Sequence, residues 1–129
     1  LGEDIALGYR FFIAETEAKA IEQARPYYEE AMKFAAPLGL TPLNQEQIAA
    51  VSGSSQRGSV QLPTLEEASA SKAWLCGPPE AIIAHLKGVE QKYPGAERIN
   101  MGAVMGMPLD VFKDQLTKFA EGVMPAFKG

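Results

Sequence analysis

The sequence is poor in the residues from which small sites are most easily built. It holds one Cys, one His and one Trp in 129 residues. The lone Cys76 has no partner for an internal disulfide, and one thiol with one imidazole, His85, falls short of a structural zinc set. Such sparing use of cysteine makes a reducing cytoplasm the expected compartment. Basic charge is scarce as well. Twelve Lys and Arg stand against sixteen Asp and Glu, a formal net charge of -4. Residues 1–36 carry four basic and seven acidic groups, residues 37–71 one and three, and residues 72–129 seven and six. No segment forms a basic stripe able to release counterions from a phosphate backbone, so nucleic acid is not an expected partner. No apolar run approaches the ~18 residues of a membrane-spanning helix, so no membrane is expected either. The opening Leu1-Gly2-Glu3-Asp4 is acidic where a signal peptide would be basic. A Ser–His–Asp order, a Walker loop and a Rossmann glycine fingerprint are all missing. The first residue is Leu1 and not Met, which suggests a chain trimmed or cut from something longer.

What is present is an ordinary globular composition, 47% apolar and 22% charged. The length suits one domain spanning residues 1–129. A chain of this size buries about two-thirds of its unfolded surface and can build a core without disulfides.

The pattern alternates between strand-like and helix-like runs. Tyr9–Ala14 is short, aromatic and nearly continuous in apolar residues, which favours a buried strand. Thr16 can cap the following helix, with Glu17 in its positive first turn. Ala20, Ala24, Tyr27, Ala31, Phe34 and Leu38 then share one helical face. Pro26 predicts a kink or two abutting helices, and Pro37 and Gly39 end the element. Residues 40–71 are loop-rich. They contain a short helix over Gln45–Val51 capped by Asn44, a Ser/Gly stretch over 52–59, and a second short helix over Leu65–Ala70. Thr64 and Glu67 have the spacing of a capping box for that second helix. The long loop reads as a lid or binding loop, or as a flexible linker.

The remainder reads strand–helix–strand–helix. Ala73–Cys76 is a short strand, and Gly77-Pro78-Pro79-Glu80 a turn whose prolines sit where no helical donor is needed. Ile82, Leu86, Val89 and Tyr93 share a helical face, stopped by Pro94-Gly95. Ile99, Met101, Ala103 and Met105 alternate in a third strand, and Gly106-Met107-Pro108 turns the chain. Leu109, Phe112, Leu116, Phe119, Val123 and Phe127 line the last helix, with Lys113, Asp114, Lys118 and Glu121 outside. This alternation predicts an α/β fold with about three parallel strands joined by crossover helices.

Three stretches carry a resemblance. Ala14-Glu15-Thr16-Glu17-Ala18-Lys19-Ala20, Gly77-Pro78-Pro79-Glu80 and Phe119-Ala120-Glu121-Gly122-Val123-Met124-Pro125 resemble, in order and spacing, motifs of the bacterial luciferase-like, flavin-dependent monooxygenases. Pro78 departs from the hydroxyl residue usual there, and Gly122 from an acidic one. The resemblance implies the C-terminal part of a TIM (β/α)₈ barrel, a fold of about 250 residues. It implies a parent enzyme that uses reduced FMN, or a reduced deazaflavin, with dioxygen on a small organic substrate. The family's flavin contacts come largely from earlier strands, so no cofactor-binding residue carries over, and the isolated chain is expected to be inactive without bound cofactor. An incomplete barrel would expose a strand edge and an apolar face. Self-association as a homo-oligomer is then expected, and a non-catalytic, self-associating half-barrel module is the alternative function. Repacking into a small two-layer α/β domain is a third outcome.

Barrel geometry would bring the strand ends to the site: Glu15 and Thr16, Gly77 and Pro78, and Gly102 to Met107. Each also has a plain reading. Thr16 is a helix cap, Glu15 a solvated carboxylate, and Gly77 and Gly106 turn residues. Met101, Met105 and Met107 could face a flavin ring or belong to the core. His85 reads as a helix-surface histidine and Cys76 as a small buried hydrophobe. Gly53–Gly58, with Arg57, could cradle a phosphate if it lay between a strand and a helix.

Overall fold

The computed structural model describes residues 6–35, 63–102 and 106–127. The predicted helix over Gln45–Val51, the Ser/Gly stretch with Arg57, Leu38, Ala103 and Met105 lie outside the described residues. Strand β1 spans Ala6–Ile13, helix α1 Glu17–Ala35, and short helix α2 Leu65–Ala70. Strand β2 (Trp74–Gly77), helix α3 (Pro79–Lys92), strand β3 (Arg98–Gly102) and helix α4 (Leu109–Gly122) follow, and Met124–Phe127 forms a 3₁₀ turn.

The three strands form one parallel sheet in the order β2-β1-β3. The α/β class with crossover helices is therefore as the alternation predicts. The order is less regular: consecutive strands of a barrel wall would lie in chain order, whereas here the first strand is central. β2 pairs with the C-terminal half of β1, Arg10 to Ile13. β3 pairs with its N-terminal half, Ala6 to Arg10.

Both faces of the sheet are covered, which is why β1 is apolar at successive positions. Phe12, Trp74 and Cys76 meet Ala20, Ala24 and Tyr28 of α1 and Leu65 and Ala68 of α2. Phe11, Ile13 and Leu75 point the other way, toward Ile82 and Leu86 of α3 and toward Val123. Each such large side chain contributes roughly 1.5–3 kcal/mol when removed from water.

Local signals set the helix ends. The amide of Lys19 donates to Thr16 Oγ1 at 3.2 Å. The capping box is formed as its spacing predicts: Glu67 N donates to Thr64 Oγ1 at 3.2 Å and Thr64 N to Glu67 Oε2 at 3.0 Å. Tyr28 ties α2 to α1, its hydroxyl donating to the Pro63 carbonyl and its ring meeting Trp74 edge-on at 5.2 Å.

Three expectations need correction. α1 is a single helix across Pro26, so of the two outcomes expected there the pair of abutting helices does not form. That proline is exposed, so water can serve the carbonyl that its missing donor leaves free. Phe34 is half exposed and not part of the buried face. The last helix buries only part of the expected stripe: Val123 is fully buried and Phe119 packs against the core. Leu109 and Leu116 are 65% and 42% exposed, whereas Gln115 is 2% exposed.

Gln115 is buried because it replaces a strand. Beyond Arg10, the β3 side of β1 is met by α4. Ile13 N donates to Gln115 Oε1 at 2.6 Å, and Gln115 Nε2 donates to Ile13 O at 3.1 Å. The side-chain amide supplies the donor and acceptor that a neighbouring peptide would have offered. α4 thereby crosses the edge of β1: Val111 packs on the α1 side, and Phe119 packs on the α3 side. Its C-terminus lies so close to α3 that a Cβ at Gly122 would sit 3.0 Å from the Pro79 ring. A side chain there would need the Pro79 ring to give by a few tenths of an ångström, a cost set against glycine's own of about 1 kcal/mol in helix propensity.

Candidate functional site

The strand ends assemble as the topology requires, but their groups serve the fold. Glu15 pairs with Lys19 at 2.6 Å, and the hydrogen bond and charge of that ammonium hold its carboxyl below the usual range. Both partners are solvent-exposed, and such a pair contributes little. Gly77 has φ of +146°, and a Cβ there would lie 3.7 Å from Ala81 Cβ and 3.8 Å from Glu17 Cα. It is the point where the β1 and β2 turns pack together, and Ala14 N donates to its carbonyl at 3.2 Å. Gly106 also has positive φ, +86°, at the turn into α4. Pro78 caps α3 without a side-chain bond.

The two described methionines of this set, Met101 and Met107, do not share a patch. Met101 packs with the α3-side cluster and Met107 with the α1-side cluster. Cys76 is buried as a small hydrophobe. Burial and the nearby Glu17 carboxylate push its thiol up to about 11. Ser69, almost wholly buried, donates its hydroxyl to Glu17 Oε1 at 2.9 Å beside it. Burial and that carboxylate both disfavour the thiolate at this position. His85 is half-buried and not on the helix surface as expected. Its ring meets Tyr9 edge-on at 5.5 Å. Its Nε2 is covered and has no hydrogen-bond partner among the described residues. Desolvation, with a smaller push from Lys72, lowers its pKa.

The groups that do converge were not singled out by the sequence. A groove of about 450 Å³ runs between α1 and α4, lined by Phe12, Gln23, Tyr27, Asp110, Val111, Asp114, Gln115 and Lys118. Phe12 and Tyr27 form one wall, their rings 6.2 Å apart and inclined by 23°. Asp110, Asp114 and Lys118 follow at successive turns of α4, and Lys118 binds Asp114 at 2.7 Å. The size is that of a small-molecule pocket. Asp114 and Lys118 read in sequence as solvent-facing charges, which is true of each alone. Their meeting with α1 depends on the rotation of α4 set by Gln115, for which no local sequence signal exists.

The described residues hold no group of three His, Cys, Asp or Glu that could bind a metal. They also do not fit a flavin. The groove presents two carboxylates to one ammonium, which opposes a flavin phosphate, and Gly77 at the end of β2 lies in van der Waals contact with Ala81 and Glu17.

The fold is that of a parallel α/β sheet with helices on both faces. Among solved structures it is similar to the monooxygenase RslO1 from Streptomyces bottropensis, with a TM-score of 0.61 and 22% identity. The match covers 98% of this chain and 32% of that one, so the chain spans about a third of the length of its structural neighbour. No protein-family model matches, and no curated protein does. Among the described residues, no helix is long and apolar enough to cross a membrane.

Proposed function

We propose that this chain forms the closing strand–helix units of a luciferase-like, flavin-dependent monooxygenase. The observation that carries the reading is the structural likeness, at a TM-score of 0.61, of this chain to about a third of a monooxygenase, taken with the three motifs at residues 14–20, 77–80 and 119–125. In the parent barrel, β1 and β2 keep the pairing seen here, and β3 moves to the far side of β2. The free side of β1 then receives the preceding strand. In the isolated chain β3 and Gln115 take that place, because an unpaired strand edge costs more than an altered order. The parent holds reduced FMN or a deazaflavin through its other strands, in the cytoplasm, and acts on a small organic substrate. The flavin supplies the oxygen chemistry when bound. The residues of this chain close the barrel wall and exclude water.

The isolated chain is inactive in this reading. Titrating FMN and following fluorescence quenching is expected to give no saturable binding. Stoichiometric binding with turnover by the 129 residues alone would overturn it. Joining the upstream coding sequence and recovering flavin binding would support it.

A second reading, a self-associating module without catalysis, is favoured by one observation. Leu109, Leu116 and Met124 leave an exposed apolar strip along α4 and the turn after it. Light scattering separates the two, because a 13.9 kDa monomer at micromolar concentration counts against self-association.

A further inference from the structure

We propose that the groove between α1 and α4 binds a small organic cation with a flat apolar body, an arylalkylammonium ion, with Asp110 as its counter-charge. The inference does not rest on the monooxygenase reading. The argument starts from charge. Of the three ionised groups lining the groove, Asp114 and Lys118 neutralise one another at 2.7 Å. Asp110, one turn earlier on the same helix, has no ion-pair partner among the described residues. The α1 wall supplies no charge, only the Gln23 amide and the Tyr27 ring.

An occupant of this groove therefore meets one unmatched carboxylate. An anion would be repelled by it. Asp110 is exposed, so a neutral apolar molecule leaves its carboxylate solvated and gains nothing from it. An ammonium ion gains a charge-assisted hydrogen bond to it. The rest of the lining selects the body of the ligand. Val111 and the nearly parallel rings of Phe12 and Tyr27 make an apolar slot, and Tyr27, half-buried, can offer its face to the cation. The volume, about 450 Å³, accommodates one such molecule. A divalent metal is disfavoured, because the described lining offers only two carboxylates and Lys118 already occupies one of them.

The test is titration of the intact chain with phenethylammonium, read by the ¹⁵N shifts of the Gln23 and Gln115 side-chain amides. Saturable shifts at both are expected, weakening as salt is raised. 2-Phenylethanol, the same size without the charge, and phenylacetate are expected to bind at least roughly tenfold more weakly, the equivalent of losing a hydrogen bond to a charged group. Asp110→Asn is expected to lose affinity for the ammonium ion by a similar factor and to leave 2-phenylethanol unaffected. Equal binding of the alcohol, shifts elsewhere than at Gln23 and Gln115, or full affinity in Asp110→Asn would overturn the proposal. If Asp110→Asn fails to fold, the comparison of the three probes on the native chain decides the matter alone.

Discussion

α3 and α4 are helices of the same length, fourteen residues each, and each begins just after a proline-marked turn. α3 buries the stripe its sequence advertises, Ile82, Leu86 and Val89. α4 carries the clearer apolar stripe and yet buries Gln115, while Leu109 and Leu116 face solvent. The difference lies in what each helix meets. α3 lies on a sheet face, where only apolar contact is on offer. α4 lies across the edge of β1, where the Ile13 N–H and C=O would otherwise be left without partners. An unmade buried hydrogen bond costs about 1–3 kcal/mol per group, comparable to burying a leucine. Two such groups outweigh the better fit of an apolar stripe, and the helix turns its glutamine inward.

That comparison can be broken from either side. The largest effect is expected in α3. Leu86→Ala should destabilise the fold by about 2–5 kcal/mol in urea unfolding, through lost burial and a residual cavity. The matching change on the stripe of α4, Leu116→Ala, should cost about 1 kcal/mol or less because 42% of that residue is already in water. Gln115→Leu should cost about 2–4 kcal/mol despite adding an apolar side chain, because both Ile13 groups lose their partner. A stabilising Gln115→Leu would show that the amide is incidental. The Ile13 amide proton should also exchange much faster in that variant than in the parent, a readout that general destabilisation of the sheet would extend equally to Phe12.

A smaller effect belongs to His85. Its pKa in the fold lies below the ordinary value of 6.5. The folded state therefore favours the neutral ring. Its contribution is fully present above the unfolded pKa and is lost as pH falls through the folded one. The melting temperature should drop on acidification from pH 7 to pH 5, and the drop should shrink in His85→Phe. An unchanged pH dependence in that variant would place the acid sensitivity elsewhere.

Much of the fold is legible in the sequence because it rests on short-range rules. The Thr64/Glu67 capping box, the Thr16 cap, the helix starting after Gly77-Pro78 and the buried face of α3 each follow from residues within a few positions of one another. The groove is not legible. Its walls come from α1 and α4, some ninety residues apart, and its acidic rim reads locally as solvated surface. Cys76 was read correctly as a buried hydrophobe, since nothing near it in sequence could ionise its thiol. His85 was misread as a surface group, because its position at the edge of a helical stripe does not reveal that Tyr9 reaches over it.

By itself, the sequence determined the element types, most of their ends and the parallel sense of the sheet with its crossover helices, but not that helices cover both of its faces, where an exposed apolar face was expected. These depend on backbone donors, caps and the period of apolar residues. Only the tertiary structure decided the strand order β2-β1-β3, the inward turn of Gln115 and the groove that results. The reason is that an edge must be satisfied by whatever the rest of the chain brings to it, and that choice is made by competing partners distant in sequence.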